Sequence, residues 1–183
     1  MKALVFMGSS REHSHTAALA RAIADALESA GVEPEIVNTG QLGALPFGRT
    51  ATQVARELRE LRERVGAAQA VVLVSPVYHG GYSALLKAVL DELPGDAFAD
   101  KPVAVAANGS GPRTGNVVCE QLRTVAKAMG AWLVPTQAAS CPDDFLSGDG
   151  LPTQGSAELQ DRCQAMAAEL HRLAALFRAP AGV

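Results

Sequence analysis

Between residues 8 and 16 the chain reads Gly8-Ser9-Ser10-Arg11-Glu12-His13-Ser14-His15-Thr16, four hydroxyls and a guanidinium directly ahead of a helical pattern. Hydroxyls, an arginine and the unpaired N–H groups of a helix N-terminus are what a phosphate monoester needs. Each charge-assisted hydrogen bond contributes about 1.5–3 kcal/mol, so several together anchor a dianion. Helix capping by Ser14 or Thr16 is the plainer use of such residues. Capping needs one of them, however, and this loop offers four hydroxyls plus Arg11. The loop matches neither Gly-x-Gly-x-x-Gly nor Gly-x-x-x-x-Gly-Lys-Ser/Thr, which argues against a dinucleotide fingerprint and a nucleoside triphosphate.

Two later stretches suit a flat ligand. Ser75-Pro76-Val77-Tyr78-His79-Gly80-Gly81-Tyr82-Ser83 joins a rigid proline, an aromatic platform and two glycines that let backbone come close to a planar ring. Read alone, it serves equally as a tight strand-to-helix turn. Asn108-Gly109-Ser110-Gly111 is again glycine-rich and again follows an apolar run.

Positioning these loops requires a repeated strand–helix unit, and apolar runs do alternate with helix-period segments from end to end. The expected strands are Lys2–Met7, a more polar edge strand Glu35–Asn38, Ala70–Val74, Val103–Ala107, and one beginning at Trp132–Val134. The expected helices carry apolar stripes at Leu19, Ile23 and Leu27; at Val54, Leu58, Leu61 and Val65; and at Leu85, Leu86, Val89, Leu90 and Leu93. A fourth stripe is Val118, Leu122, Val125 and Met129, and a fifth runs Leu159, Cys163, Met166, Leu170, Leu173 and Phe177. Leu42–Gly48 and Cys141–Gly155 read as loops. Alternating charges at residues 56–63 read as a solvated helix face. The fold expected is α/β: a doubly wound, five-stranded parallel sheet of the flavodoxin-like order 2-1-3-4-5, with helices on both faces and ligands outside the carboxyl ends of the strands.

With 183 residues, of which 48% are hydrophobic, 4% aromatic and 19% charged, one domain spanning residues 1–183 is expected. A net charge of −3 offers no broad basic field for nucleic acid. The opening apolar run is too short for a secretory signal, and no stretch spans a bilayer, so a soluble, cytoplasmic protein without a membrane partner is expected. Cys119, Cys141 and Cys163 are widely spaced and read as buried, unreactive thiols, with the nearby Arg123 and Arg162 facing solvent. His13, His15, His79 and His171 lack metal-ligand spacing, so no metal is expected, and His171 reads as a surface residue.

Taken together, Gly8-Ser9-x-Arg11-x-x-Ser14, Pro76-x-Tyr78-x-Gly80 leading into Leu86-Lys87-x-x-x-Asp91, and Asn108-Gly109-Ser110 resemble the NADPH-dependent FMN reductase family. The resemblance covers Lys2 to roughly Ala139 and implies FMN as cofactor with NADPH or NADH as hydride donor. It further implies that Ser9, Arg11, Ser14, His15 and Thr16 surround the FMN phosphate. Pro76, Val77, Tyr78, His79 and Gly80 would lie along the isoalloxazine, and Asn108, Gly109 and Ser110 at its pyrimidine end. Hydride transfer carried by the flavin needs no protein nucleophile. The acceptor implied is a small molecule of quinone type, or the reduced flavin passes to a flavin-dependent monooxygenase; a homodimer or homotetramer is implied as well. The alternative is a flavodoxin-like FMN electron carrier that does not oxidise pyridine nucleotides. A receiver-type signalling domain is excluded, because the first and third strands end in Gly8-Ser9 and Ser75-Pro76 where its chemistry needs carboxylates.

Overall fold

The computed structural model describes residues 1–42, 51–148 and 150–178. In chain order the elements are β1 (Lys2–Met7), α1 (His15–Ser29), β2 (Glu33–Asn38), α2 (Ala51–Ala67), β3 (Ala70–Pro76), α3 (Ala84–Asp91), β4 (Pro102–Asn108) and α4 (Thr114–Ala128). There follow β5 (Trp132–Leu133), β6 (Ala138–Ser140), a single 3-10 turn at Pro142–Asp144, β7 (Phe145–Gly148), β8 (Leu151–Gly155) and α5 (Ala157–Arg178). Within the expected loops Leu42–Gly48 and Cys141–Gly155, residues 43–48 and Asp149 fall outside the described residues, as does the Val54 side chain.

Successive side chains on a strand point to opposite faces, so the central strands feed two separate cores. Ala70, Val72 and Val74 of β3 join Ala3 and Val5 of β1 under α1 and α5. Val71 and Leu73 join Leu4 and Phe6 on the other side, covered by Leu61 and Val65 of α2, Leu86 of α3 and Leu122 of α4. Every residue of β3 is buried, as parallel strands covered on both faces must be. The sheet is parallel in the order β2-β1-β3-β4-β5, with helices on both faces, so the flavodoxin-like architecture holds.

Four features differ from the sequence reading. The fifth strand is split: β5 pairs with β4 at Pro102–Val103, the chain detours, and β6 rejoins β4 at Ala106–Asn108. Pro135, which has no N–H to donate to a ladder, lies in the gap. Arg123 and Arg162, expected to face solvent, instead brace this edge: their guanidiniums donate to Val134 O and Ala139 O at 2.8 and 2.9 Å. The expected loop Cys141–Gly155 is a 3-10 turn followed by the antiparallel hairpin β7–β8, which packs on α1. Phe177, assigned to the core stripe, is 40% exposed and meets the Trp132 ring at 5.4 Å. No described helix is long and apolar enough to cross a membrane.

Candidate functional site

The register of the sheet brings the three chemistry-bearing loops to one edge. Met7 lies opposite Val74, Pro76 opposite Asn108, and Asn108 opposite Ser140, so the exits of β1, β3, β4 and β6 are adjacent. Hydrogen bonds tie neighbouring exits together. Gly8 N–H donates to Val74 O at 2.8 Å and Val77 N–H to Asn108 O at 2.8 Å, while Gly109 N–H donates to Ser140 O at 2.9 Å. The Asn108 side-chain amide also donates to Ser140 Oγ at 2.9 Å. A crevice edge of this kind, outside the carboxyl ends and at the point where strand order reverses, is where doubly wound sheets bind ligands.

At the first exit, Ser9 is buried and its Oγ lies 3.1 Å from Ser14 Oγ. Ser9 Oγ also accepts from Arg11 N–H at 3.2 Å, and Ser14 Oγ donates to Arg11 O at 2.9 Å. Ser14 is the helix cap as well, accepting from Ala17 N–H at 3.1 Å, so the capping use and the loop-shaping use coexist in one hydroxyl. Arg11 is exposed, and its guanidinium has no hydrogen-bond or ion-pair partner among the described residues. Thr16 is buried in the first turn, and His15 is half-buried against the ring of Phe145, centroids 5.5 Å apart. The N–H groups of the first helical residues, His15 and Thr16, are left facing out of the helix end by the geometry of any α-helix. The donor set therefore fits a phosphate: a guanidinium without a partner among the described residues, preordered hydroxyls and a positive helix end.

At the third exit the chain folds back in a tight turn. Tyr78 and Gly81 exchange both backbone hydrogen bonds, at 2.9 and 3.0 Å, with φ of +51° at His79 and +79° at Gly80. Positive φ at both central residues is the pattern of a type I′ turn, and a non-glycine residue such as His79 adopts it only under constraint. The constraint comes from α4, where the Gln121 side-chain amide donates to Gly80 O at 3.0 Å. Pro76 is buried, Val77 half-buried, and the Tyr78 side chain stands 51% exposed beside the turn. Behind it, Ser75 Oγ accepts from Ser83 N–H at 2.9 Å, and Ser83 caps α3.

The fourth exit admits glycine for a steric reason. A Cβ on Gly109 would overlap Thr114 Oγ1 and lie 2.9 Å from Thr114 Cβ. Thr114 holds the loop closed by donating to Gly111 O at 2.8 Å. Asn108 is half-buried and Ser110 exposed. A Cβ on Gly8 would likewise come within 2.8 Å of Ser83 Oγ, so the first and third loops are packed against each other.

All thirteen residues expected at the site lie at the carboxyl ends of β3 and β4, on the three loops that leave the strands, or on the first turn of α1. Sequence reasoning missed their supports: Thr114, Gln121, Ser140 and Phe145. A hydroxyl at the start of α4 was a readable sign for Thr114, whereas Gln121 and Ser140 act across elements and leave no local signature. The three cysteines are free and buried. Cys119 and Cys163 are buried, and burial pushes both thiols up to about 12. His171 is exposed on α5, as expected.

The chain is similar to proteins of known family and structure. Residues 1–144 match the family described as NADPH-dependent FMN reductase. The FMN-dependent NADPH-azoreductase of Staphylococcus aureus is 34% identical over 170 residues, covering 90% of each chain. Among solved structures, an oxidoreductase from Corynebacterium diphtheriae superposes with a TM-score of 0.75 at 24% identity, covering 96% of this chain and 97% of the other. The flavoenzyme NAD(P)H:(acceptor) oxidoreductase of Paracoccus denitrificans does so with a TM-score of 0.72 at 19% identity, covering 93% and 97%.

Proposed function

This chain belongs to the NADPH-dependent FMN reductase family, an FMN-dependent oxidoreductase drawing hydride from pyridine nucleotide, and from that premise we propose how its own residues serve the reaction. Ser9, Arg11, Ser14, His15 and Thr16 hold the FMN phosphate. The backbone from Pro76 to Gly80 lies along the isoalloxazine, with Tyr78 beside it, and Asn108, Gly109 and Ser110 meet the pyrimidine end. The observation that carries this assignment is the common edge: the Arg11 guanidinium, without a partner among the described residues, and a helix N-terminus at one end, and two glycine loops hydrogen-bonded to each other at the other.

When bound, FMN supplies acceptance of hydride from NADPH and delivery of the electrons to an acceptor. The chain contributes orientation and electrostatics. Arg11 and the end of α1 fix the phosphate and so set where the ring lies. The type I′ turn presents rigid backbone, which stacks two rings without a mobile side chain in the way. In the fourth loop Ser140 O takes the Gly109 N–H and Thr114 Oγ1 the Gly111 N–H, so the Ser110 N–H is the donor proposed for the negative charge that develops at the pyrimidine end.

An azo compound or a quinone is the acceptor class proposed, by analogy with the azoreductase relative. Cleavage of one azo bond to two amines takes four electrons and four protons, hence two NADPH. The electron-carrier alternative is set aside by the match to a pyridine-nucleotide-dependent family. Residues 1–183 are read as one domain, since both apolar clusters share the same sheet. A cytoplasmic homodimer or homotetramer completes the proposal: three free cysteines suit a reducing compartment, and Leu146 and Trp132, 60% and 57% exposed, suit subunit contacts. The test is a steady-state assay of the FMN-loaded protein with NADPH and an azo dye, expecting two NADPH oxidised per dye. Failure to bind flavin or to oxidise NADPH with any acceptor refutes it.

A further inference from the structure

The hairpin β7–β8, which no sequence pattern announced, reaches the phosphate end of the site through one ring contact. Phe145 opens β7 and is 7% exposed; its ring meets that of His15 in a tilted arrangement at 5.5 Å and 57°. His15 is the first residue of α1, next to the cap Ser14, so whatever holds His15 also holds the helix end.

Phe145 is itself held with unusual thoroughness. The neighbouring Asp144 carboxylate accepts from Cys141 N–H at 2.8 Å and from the Arg162 guanidinium at 2.8 Å, and Asp144 O accepts from Ser156 N–H at 2.7 Å. Arg162 donates also to Ala139 O, fastening the turn to the end of β6. Within the hairpin, Thr153 donates to Leu146 O at 3.0 Å. The carboxylate, the arginine and the hairpin therefore fix the chain on both sides of Phe145, whose ring meets that of His15.

We propose that Phe145 is a positioning residue for the phosphate end of the flavin site, acting through His15, so that the β7–β8 hairpin sets the chain's preference for FMN over flavin without a phosphate. This rests on the phosphate assignment above. Nothing in it requires Phe145 to touch the flavin. Its function is to keep the first turn of α1, with the N–H groups of His15 and Thr16, in the orientation the phosphate needs.

The experiment is equilibrium titration of the full chain and its variants with FMN and with riboflavin, read by flavin fluorescence, alongside thermal unfolding. Phe145→Leu keeps an apolar side chain at a buried position but removes the ring; His15→Ala alters a half-buried residue and leaves Phe145 in place. Each is expected to weaken FMN about fivefold while riboflavin changes less than twofold. The double variant should be no weaker than the worse single one, because the two act as a unit, and Phe145→Tyr should restore the wild-type ratio. Equal loss of both flavins, no loss of either, or strictly multiplicative effects would overturn the proposal. Arg11→Ala separates the two levels. If it lowers the FMN-to-riboflavin ratio while Phe145→Leu does not, the hairpin inference alone fails; if Arg11→Ala leaves the ratio unchanged, the phosphate assignment fails and the inference with it.

Discussion

The two ends of the site are built on different principles. The proposed phosphate end relies on side chains, Ser9, Arg11 and Ser14, gathered within six residues of sequence, together with the end of the helix they precede. The proposed ring end relies on backbone, the turn Tyr78–Gly81 and the loop Asn108–Gly111, held from behind by Gln121, Ser140 and Thr114. A side-chain site can be weakened in steps, because each donor is separately removable. A backbone site is either held in its path or lost, and its sensitivity moves to the residues that hold it.

The sharpest test of that contrast is Gly109→Ala. The added methyl has no space against Thr114, and overpacking of this kind costs about 1–3 kcal/mol. Since the loop must move to relieve it, FMN and riboflavin should both weaken, by about a hundredfold. A variant that kept wild-type affinity for both would show that the fourth loop is not part of the site. Next in size is Arg11→Ala. Loss of a charge-assisted bond costs about 1.5–3 kcal/mol, reduced here by the exposure of the side chain, so FMN should weaken about tenfold while riboflavin is untouched. Equal effects on the two flavins would erase the distinction between the ends.

Gln121→Leu probes the ring end from a distance. It removes one bond to Gly80 O, worth about 0.5–1.5 kcal/mol, and with it part of the constraint that keeps His79 at positive φ. FMN and riboflavin should weaken alike, by about threefold, with turnover falling as the turn loosens. A selective loss of FMN would assign Gln121 to the wrong end.

The same contrast explains what could be read from the sequence. The loop that gathers Ser9, Arg11 and Ser14 ahead of α1 was legible because hydroxyls directly before a helical stripe mark a helix start, and Ser14 is its cap. The strands β1, β3 and β4 were legible because burial on both faces demands continuous apolar runs such as Ala70–Val74. The split at Pro135 was not, since one proline reads as a loop until the strand is seen to resume at Ala138. Leu146-Ser147-Gly148 and Leu151-Pro152-Thr153 carry no alternating apolar pattern, so β7 and β8 passed for loop. Arg123 and Arg162 were misread for the same cause: their partners are carbonyls that the broken edge strand leaves available, and helix periodicity cannot show a carbonyl on another element.

A region outside the site supplies the control with the smallest expected effect on binding. Glu35 of β2 sits opposite Leu4, three residues short of the carboxyl edge, and bridges Lys2 and Arg64 of α2. Burial alone would raise its pKa, but Lys2 and Arg64 outweigh that and hold the carboxyl below its ordinary value. A folded value below the unfolded one means that the ion pairs add stability fully present above about pH 5, lost as pH falls through the folded value. Glu35→Gln removes that contribution. Denaturant unfolding should show wild type and variant separated by a constant gap from neutral pH to about pH 5, and the gap should close below it. Flavin affinity should be unchanged for FMN and riboflavin alike. A gap that persists at acid pH would mean that Glu35 stabilises the edge by packing and not as an ion, and a change in either flavin's affinity would mean that the edge strand and the site are coupled.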